Sequence, residues 1–381
     1  MTSDVSRRSL LALGAGLGTS ALLGDIAQAK APKLGPQPQY FYRFNVGGAE
    51  VTVVSDGALA LGDPKGTFTG VPDDEMRKML TDNFLPPASI VLEQNSPIVN
   101  MGDKLVLFDT GMGTSKMFGP TTGRQQKSMK DAGIKPEDID AVVFSHGHID
   151  HIGGVVGDDG KNLFPNAQFY IAESDFNYWT DYDKAGPKMK DFVDHAKKNL
   201  TPVRDRLVFY KDEQEFLPGV TALSAPGHTV GHTIFVISSE GKSFAYTADL
   251  THHPILLMEK PRMEFAYDTD PKQAAGSRVK MLDMLATNKI PVLAYHYPWP
   301  GVGHIAKTGE GFHYVPEPMQ ITFLTRARAP SGRAPRPSLR PSTAFSLSDS
   351  TSKLTLTKPI CSRKPGTFYR LRNAMIIRCQ E

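Results

Sequence analysis

"FSHGHIDHIGG", residues 144–154, sets three histidines and an aspartate within six positions and closes on paired glycines. The apolar run leading into it, "IDAVVFS" at 139–145, reads as a strand. The cluster therefore stands where the chain leaves a sheet, the usual place for an α/β active site. His146 and His148 are two apart, project to one side of extended chain and can share an ion. Asp150 and His151 are adjacent, point differently and can serve a second ion nearby. Gly147, Gly153 and Gly154 allow the backbone to turn tightly enough to hold all four donors. A lone histidine in a strand is ordinarily a core residue, but a cluster of this density has no packing explanation.

Four donors do not complete two metal sites, so more are expected at the ends of later strands. "APGHTVGHT" (225–233) offers His228, "AYTADLTHH" (245–253) offers Asp249 and "LAYHYPWPG" (293–301) offers His296, each directly after an apolar strand-like run. The set is five histidines and two aspartates, suited to zinc, iron, manganese or cobalt without selecting among them. His232, four after His228, reads as a structural hydrogen-bonding residue, and His304 as a weak substrate candidate.

The rest of the chain sorts into three parts. Residues 1–29 carry Arg7 and Arg8, an apolar run from 10 to 23 and small residues ending at Ala29, the pattern of a cleaved export signal resembling the twin-arginine type; periplasmic or secreted location follows. No transmembrane segment is expected, because the apolar run is too short and glycine-rich. From 321 to 381, Arg, Pro, Ser and Thr dominate without an apolar period, which predicts a disordered tail. That tail holds twelve Lys or Arg against two Asp or Glu, so its net +10 leaves about −7 for the remainder of a chain whose formal charge is +3. The pI of 8.6 thus describes the tail and is no argument for nucleic-acid binding. Both cysteines, Cys361 and Cys379, lie there too, so the body has neither a disulfide nor a thiol nucleophile. Between these ends, residues 36–320 alternate short apolar strands with helix-like stretches such as "DPKQAAGSRVKMLDMLATN" (270–288), where Asp270 and Pro271 stand as cap and first-turn residue. A layered α/β domain is predicted.

Taken in order, "HGHIDH", "GHTVGHT", "TAD" and "YH", with "LVLFDTG" (105–111) before them, resemble the metallo-β-lactamase superfamily of binuclear hydrolases over about residues 40–315. The resemblance implies a four-layer αββα sandwich. It implies two divalent ions, zinc first among them: His146, His148 and His228 on the first, Asp150, His151 and His296 on the second, and Asp249 bridging. Closer still, "FGPTTGR" (118–124), "FPNAQF" (164–169), "PGVGHI" (300–305) and "GFHYVP" (311–316) are similar to the methyl parathion hydrolase family, whose chains end soon after such a "YVP"; the tail is a departure. From that likeness Phe118, Trp179 and Phe192 are expected to line the leaving-group pocket, core packing being the competing role for each. Asp109 has two candidate roles, orienting a ligand histidine and capping the "DTG" turn.

Such a pair of ions, about 3.5–4 Å apart, holds a bridging water whose pKa falls to about 7, so a hydroxide is the expected nucleophile with Asp150 and Asp249 beside it. The absence of cysteine from the body argues against penicillin hydrolysis. A phosphotriester such as methyl parathion is the first expected substrate, with a lactone of the acyl-homoserine type or a carboxylic ester as the alternative, since the donors cannot separate P=O from C=O. A nuclease, a nucleic-acid binder and a metal carrier without turnover rank lower: the tail lacks interleaved aromatics, and an export signal would part it from nucleic acid. The oligomeric state is open, a homodimer being one option.

Overall fold

A computed structural model describes residues 40–318. The expected export signal at 1–29 and the tail at 321–381, with Cys361 and Cys379, lie outside the described residues.

Alternation along the strands builds the layers. In Leu105–Phe108, Val106 and Phe108 face one way and Leu107 the other; in Ala141–Val143, Ala141 and Val143 face with the former and Val142 with the latter. Both faces are buried, which is why these runs read as nearly continuous apolar sequence. These strands lie within a seven-stranded sheet ordered Phe41–Val46, Ala49–Ser55, Asn95–Asn100, Leu105–Phe108, Ala141–Val143, Gln168–Ala172 and Leu207–Tyr210. A second seven-stranded sheet runs Glu215–Leu217, Val220–Ser224, Thr233–Ser239, Lys242–Ala248, Val292–Ala294, Val302–Thr308 and Gly311–Pro316.

One core lies between the sheets, where Val51, Val99, Phe108 and Val143 of the first meet Val220, Phe235, Ile237 and Tyr246 of the second. The outer face of the first sheet is covered by Met129 and Ala132, at the helix Gln125–Asp131, and by Ala196 and Leu200 of Lys190–Leu200. Met281, Leu282 and Leu285 of Pro271–Thr287 cover the second. Helix, sheet, sheet, helix is the αββα order expected. The last helix starts as its sequence predicts: the Asp270 side chain accepts from the Gln273 N–H, and Pro271 occupies the first turn.

Two short antiparallel pairings, Leu59–Gly62 with Ile90–Leu92 and Phe68–Thr69 with Glu264–Phe265, were not legible beforehand. With the helix Asp73–Asp82 they pack Met76, Met79 and Leu80 against Leu256, Leu257, Met263 and Phe265. This fourth apolar cluster covers the edge at which the donor-bearing strands end.

Candidate metal centre

All seven expected donors come together. One group contains His146, His148 and His228, another Asp150, His151, Asp249 and His296, and within each group the donor atoms lie within 4.8 Å of one another. Every one is buried, at most 7% exposed. Strand ends deliver them: Ser145 and His146 follow Ala141–Val143, Asp249 follows Lys242–Ala248, and His296 follows Val292–Ala294. Ala248, just before Asp249, has φ 44°, and Asp109 has φ 57°; both are non-glycine residues in the left-handed region, where strain gathers at working sites.

The atoms converge on shared points rather than on each other. His151 Nε2 and Asp249 Oδ1 are 3.1 Å apart, buried, and neither makes a hydrogen bond. His228 Nε2 and His146 Nε2 are 3.2 Å apart, two nitrogens facing one another. The second carboxylate oxygen of Asp249 is 3.2 Å from His228 Nε2 and 3.1 Å from His296 Nε2, so this carboxylate spans both groups. Nitrogen and oxygen donors arranged this way fit two divalent cations joined by Asp249, zinc among them.

Partners behind the donors fix ring orientation. His151 Nδ1 donates to Asp109 Oδ2 at 2.8 Å, and the same carboxylate accepts from the Ser145 hydroxyl (2.7 Å), the Tyr246 hydroxyl (2.6 Å) and the Ser145 N–H (2.8 Å). Asp109 thus takes the first of the two roles held open for it, orienting a ligand histidine; its carboxylate makes no bond to the 109–111 turn, beside which Asp56 accepts the Met112 N–H at 2.9 Å. His228 Nδ1 donates to Asp268 at 2.8 Å, with buried Arg278 3.6 Å from the other oxygen of that carboxylate. His296 Nδ1 donates to the Glu93 carbonyl at 2.8 Å, and His146 Nδ1 lies 3.0 Å from the Ser145 hydroxyl. Such contacts set which nitrogen is free to bind. Buried Asp175 ties two donor loops together, accepting from the N–H groups of Gly147 (2.5 Å) and Gly231 (2.7 Å).

Charge follows the same plan. Burial holds His146 and His148 well below the usual imidazole range, in the neutral form that coordinates. Burial also works to lower His228, but its bonds to Asp249 and Asp268 outweigh this and push it up to about 9. His151 is likewise raised by Asp249, Asp150 and Asp109 against burial. The protons held on these two rings are those that cations must displace, so ion binding here releases protons.

Five of the donors, His148, Asp150, His228, Asp249 and His296, form the floor of a cavity with about 360 Å³ of empty volume, lined also by Leu59, Leu61, Leu92, Phe118, Phe192 and Phe265. Phe118 and Phe192 stand where expected. Trp179 does not: it is 2% exposed and absent from the lining, its ring 4.9 Å behind that of His148. The reason is Gly147, whose missing side chain leaves room for the indole; a Cβ there would sit 2.4 Å from Trp179 Cδ1. His232 is structural, donating through Nδ1 to the Ala225 carbonyl and accepting the Asp249 N–H at 3.1 Å. His304 is far from this chemistry in kind, paired with Glu317 at a half-exposed surface. Asp268, Asp175, Tyr246 and His252 were missed. The only advance signal was the second half of "TADLTHH", where His252 follows Asp249 by three.

The metallo-beta-lactamase superfamily model matches residues 90–295 of the chain. Among solved structures the chain is similar to AidC, a dizinc quorum-quenching lactonase in complex with its product N-hexanoyl-L-homoserine (TM-score 0.69, 32% identity, 74% of this chain and 98% of that one). It is equally similar in shape to the beta-lactamase-superfamily hydrolase AbOPH (TM-score 0.69, 26% identity, 75% and 100%). A curated N-acyl homoserine lactonase of Bacillus cereus is 24% identical over 189 residues, 50% of this chain and 65% of the relative. Another, AttM of Agrobacterium fabrum, is 28% identical over 141 residues, 33% of this chain and 47% of the relative. The chain therefore matches less than two thirds of the length of these curated relatives. Nothing in them is specific to methyl parathion hydrolase.

Proposed function

We propose, from the premise that this chain belongs to the metallo-beta-lactamase superfamily, that it is a metal-dependent hydrolase acting on neutral lactones of the acyl-homoserine type. The observation that carries this reading is an apolar wall set directly over the donor cluster, with no Lys or Arg among the described residues that line it. A substrate bearing a carboxylate or phosphodiester charge would find no counter-charge there except the ions themselves. A neutral ester with an apolar chain matches both ends of the cavity, its chain against Leu59, Leu92, Phe118 and Phe192 and its carbonyl at the floor. Similarity to lactonases supports the same choice. The phosphotriester expected first, also neutral, becomes the alternative.

Two divalent ions held by the seven residues would supply Lewis acidity and lower the pKa of a bound water. The chain does the rest. Asp109, Asp268 and the Glu93 carbonyl fix the rings of His151, His228 and His296, so the donor set needs little reorganisation when charge builds on the substrate. Asp249 and Asp150, which line the cavity among the donors, would offset cationic charge there. The aromatic and leucine wall excludes bulk water, which strengthens every electrostatic contact below it.

Ring opening releases a carboxylic acid, so the reaction is followed by pH-stat. Metal-loaded protein is compared on N-hexanoyl homoserine lactone, an aryl carboxylic ester, an aryl phosphotriester and a phosphodiester. The lactone is expected to give the highest kcat/KM, by about tenfold or more. A phosphotriester rate equal to or above it would transfer the assignment. Export remains a proposal resting on residues 1–29: fractionation of a bacterial host should find the protein outside the cytoplasm, and Arg7→Lys with Arg8→Lys should hold it inside if the signal is of the twin-arginine type.

A further inference from the structure

Four of the five histidines in the proposed donor set have their second ring nitrogen held by a protein atom: His146 by Ser145, His151 by Asp109, His228 by Asp268 and His296 by the Glu93 carbonyl. His252 differs. Its Nε2 lies 3.0 Å from Asp249 Oδ2, and its Nδ1 is buried with no hydrogen-bond partner. The ring is stacked on Phe265, centroids 3.9 Å apart and planes 24° from parallel, and it lines the cavity beside Asp249, His228 and His296.

Donor geometry alone would admit His252 as a ligand, since it forms a third group with His228 and Asp249. Proton placement argues otherwise. Binding a cation through Nε2 would move the ring proton to Nδ1, where nothing accepts it, leaving a buried N–H unmet. Ligating histidines characteristically pass that proton to a carboxylate or carbonyl, as His151, His228 and His296 do. With its proton on Nε2 instead, the ring presents a donor at the Asp249 corner of the cavity floor. With Asp249 serving cations, that carboxylate would be a weaker acceptor, and a substrate oxygen at the floor would be the competing one.

We propose that His252 is a catalytic hydrogen-bond donor and not a metal ligand: its Nε2–H contacts the substrate oxygen on which negative charge grows as water adds to the ester carbon. The stack on Phe265 holds the ring plane for this. The inference rests on reading the cavity as hydrolytic but not on which ester is cleaved.

The test uses zinc-loaded, full-length wild type, His252→Phe and His252→Gln. Phe keeps a flat ring on Phe265 and removes the donor; Gln returns an N–H to nearly the same place. Ions per chain are counted, kcat and KM are measured separately, and affinity for N-hexanoyl homoserine is measured by calorimetry. Both variants are expected to keep the wild-type ion content and product affinity within about threefold. His252→Phe should lose about 100-fold in kcat with little change in KM, and His252→Gln should recover at least about tenfold of that loss. Loss of an ion from His252→Phe would make the residue a ligand. Turnover within twofold of wild type, or equal losses in Phe and Gln, would overturn the donor role. If wild type opens no lactone but cleaves another ester, the substrate reading fails and the same comparison on that ester still decides His252.

Discussion

His228 donates through Nδ1 to Asp268 at 2.8 Å, which leaves its Nε2 directed toward Asp249 and His146. Forty residues separate this pair in the chain, and Asp268 hydrogen-bonds to His228 alone among the proposed donors in the described residues, so its influence on the first metal position passes through a single ring. Asp268→Ala should weaken ion affinity at that position by about 10–100-fold while leaving the second closer to wild type. Competition with a chromogenic chelator, which resolves the two dissociation constants, is the check. Equal weakening of both would point to general disruption around Arg278 instead.

Gly147 and Trp179 predict a steric effect. A methyl group at 147 would lie 2.4 Å from the indole, and neighbouring Asp175 pins the Gly147 backbone, so neither side can yield cheaply. Gly147→Ala should cost about 1–3 kcal/mol of stability and reduce ion content, because His146 and His148 flank it. Adding Trp179→Leu should restore part of the ion content. Thermal unfolding and elemental analysis of both proteins decide it; full ion content in Gly147→Ala would contradict the fit.

Phe118 and Phe192 should act on substrate chain length. Replacing either by Ala removes apolar wall without touching a donor, so KM should rise more for a decanoyl than for a butanoyl lactone, by up to about 1–3 kcal/mol of lost contact. An equal change for both chain lengths would place the acyl group elsewhere. Trp179→Ala, by contrast, should lower stability rather than select chain length, since Trp179 is core.

His253 gives the protein an acid limit. Its Nδ1 accepts the N–H groups of Ile255 and Leu256 at 3.2 Å each, and burial pulls its pKa down to about 4. The folded value is below the unfolded 6.5, so the folded state binds fewer protons in this window. The contribution is complete above about 6.5 and is lost as pH falls toward 4, amounting to about 2 kcal/mol by pH 5. His253→Asn keeps an acceptor for those N–H groups but does not titrate. Between pH 7 and 5, wild type should therefore lose about 2 kcal/mol more stability than His253→Asn in chemical denaturation, and parallel losses would remove His253 as the cause.

The donor cluster was legible because its chemistry is local: each donor sits within a few residues of a strand end, and an apolar run betrays the strand. The two central sheets were legible for the same reason, down to Asp270 and Pro271 at the start of the last long helix. What closes behind the donors was not. Asp268, Asp175 and Tyr246 are single polar residues whose partners lie 28 to 137 positions away, and no period or spacing announces such a pair. Of the two roles open to Trp179, pocket and core, the sequence could not choose, because an aromatic residue beside a site points wherever space exists, and that space was created by a glycine 32 positions earlier. The cover built from Leu59–Gly62, Ile90–Leu92 and Asp73–Asp82 escaped notice because short pairings at a sheet's margin are stabilised by tertiary contact, not by their own sequence pattern.

One titration tests the central claim most directly. Metal-free protein is titrated with zinc in the presence of a competing chelator, wild type beside Asp249→Ala. Because Asp249 reaches both donor groups, wild type should take up about two ions per chain, and removal of this one carboxylate should weaken both steps together. Uptake of two ions with unchanged affinities by Asp249→Ala, or of fewer than about one by wild type, would contradict a binuclear centre bridged by Asp249.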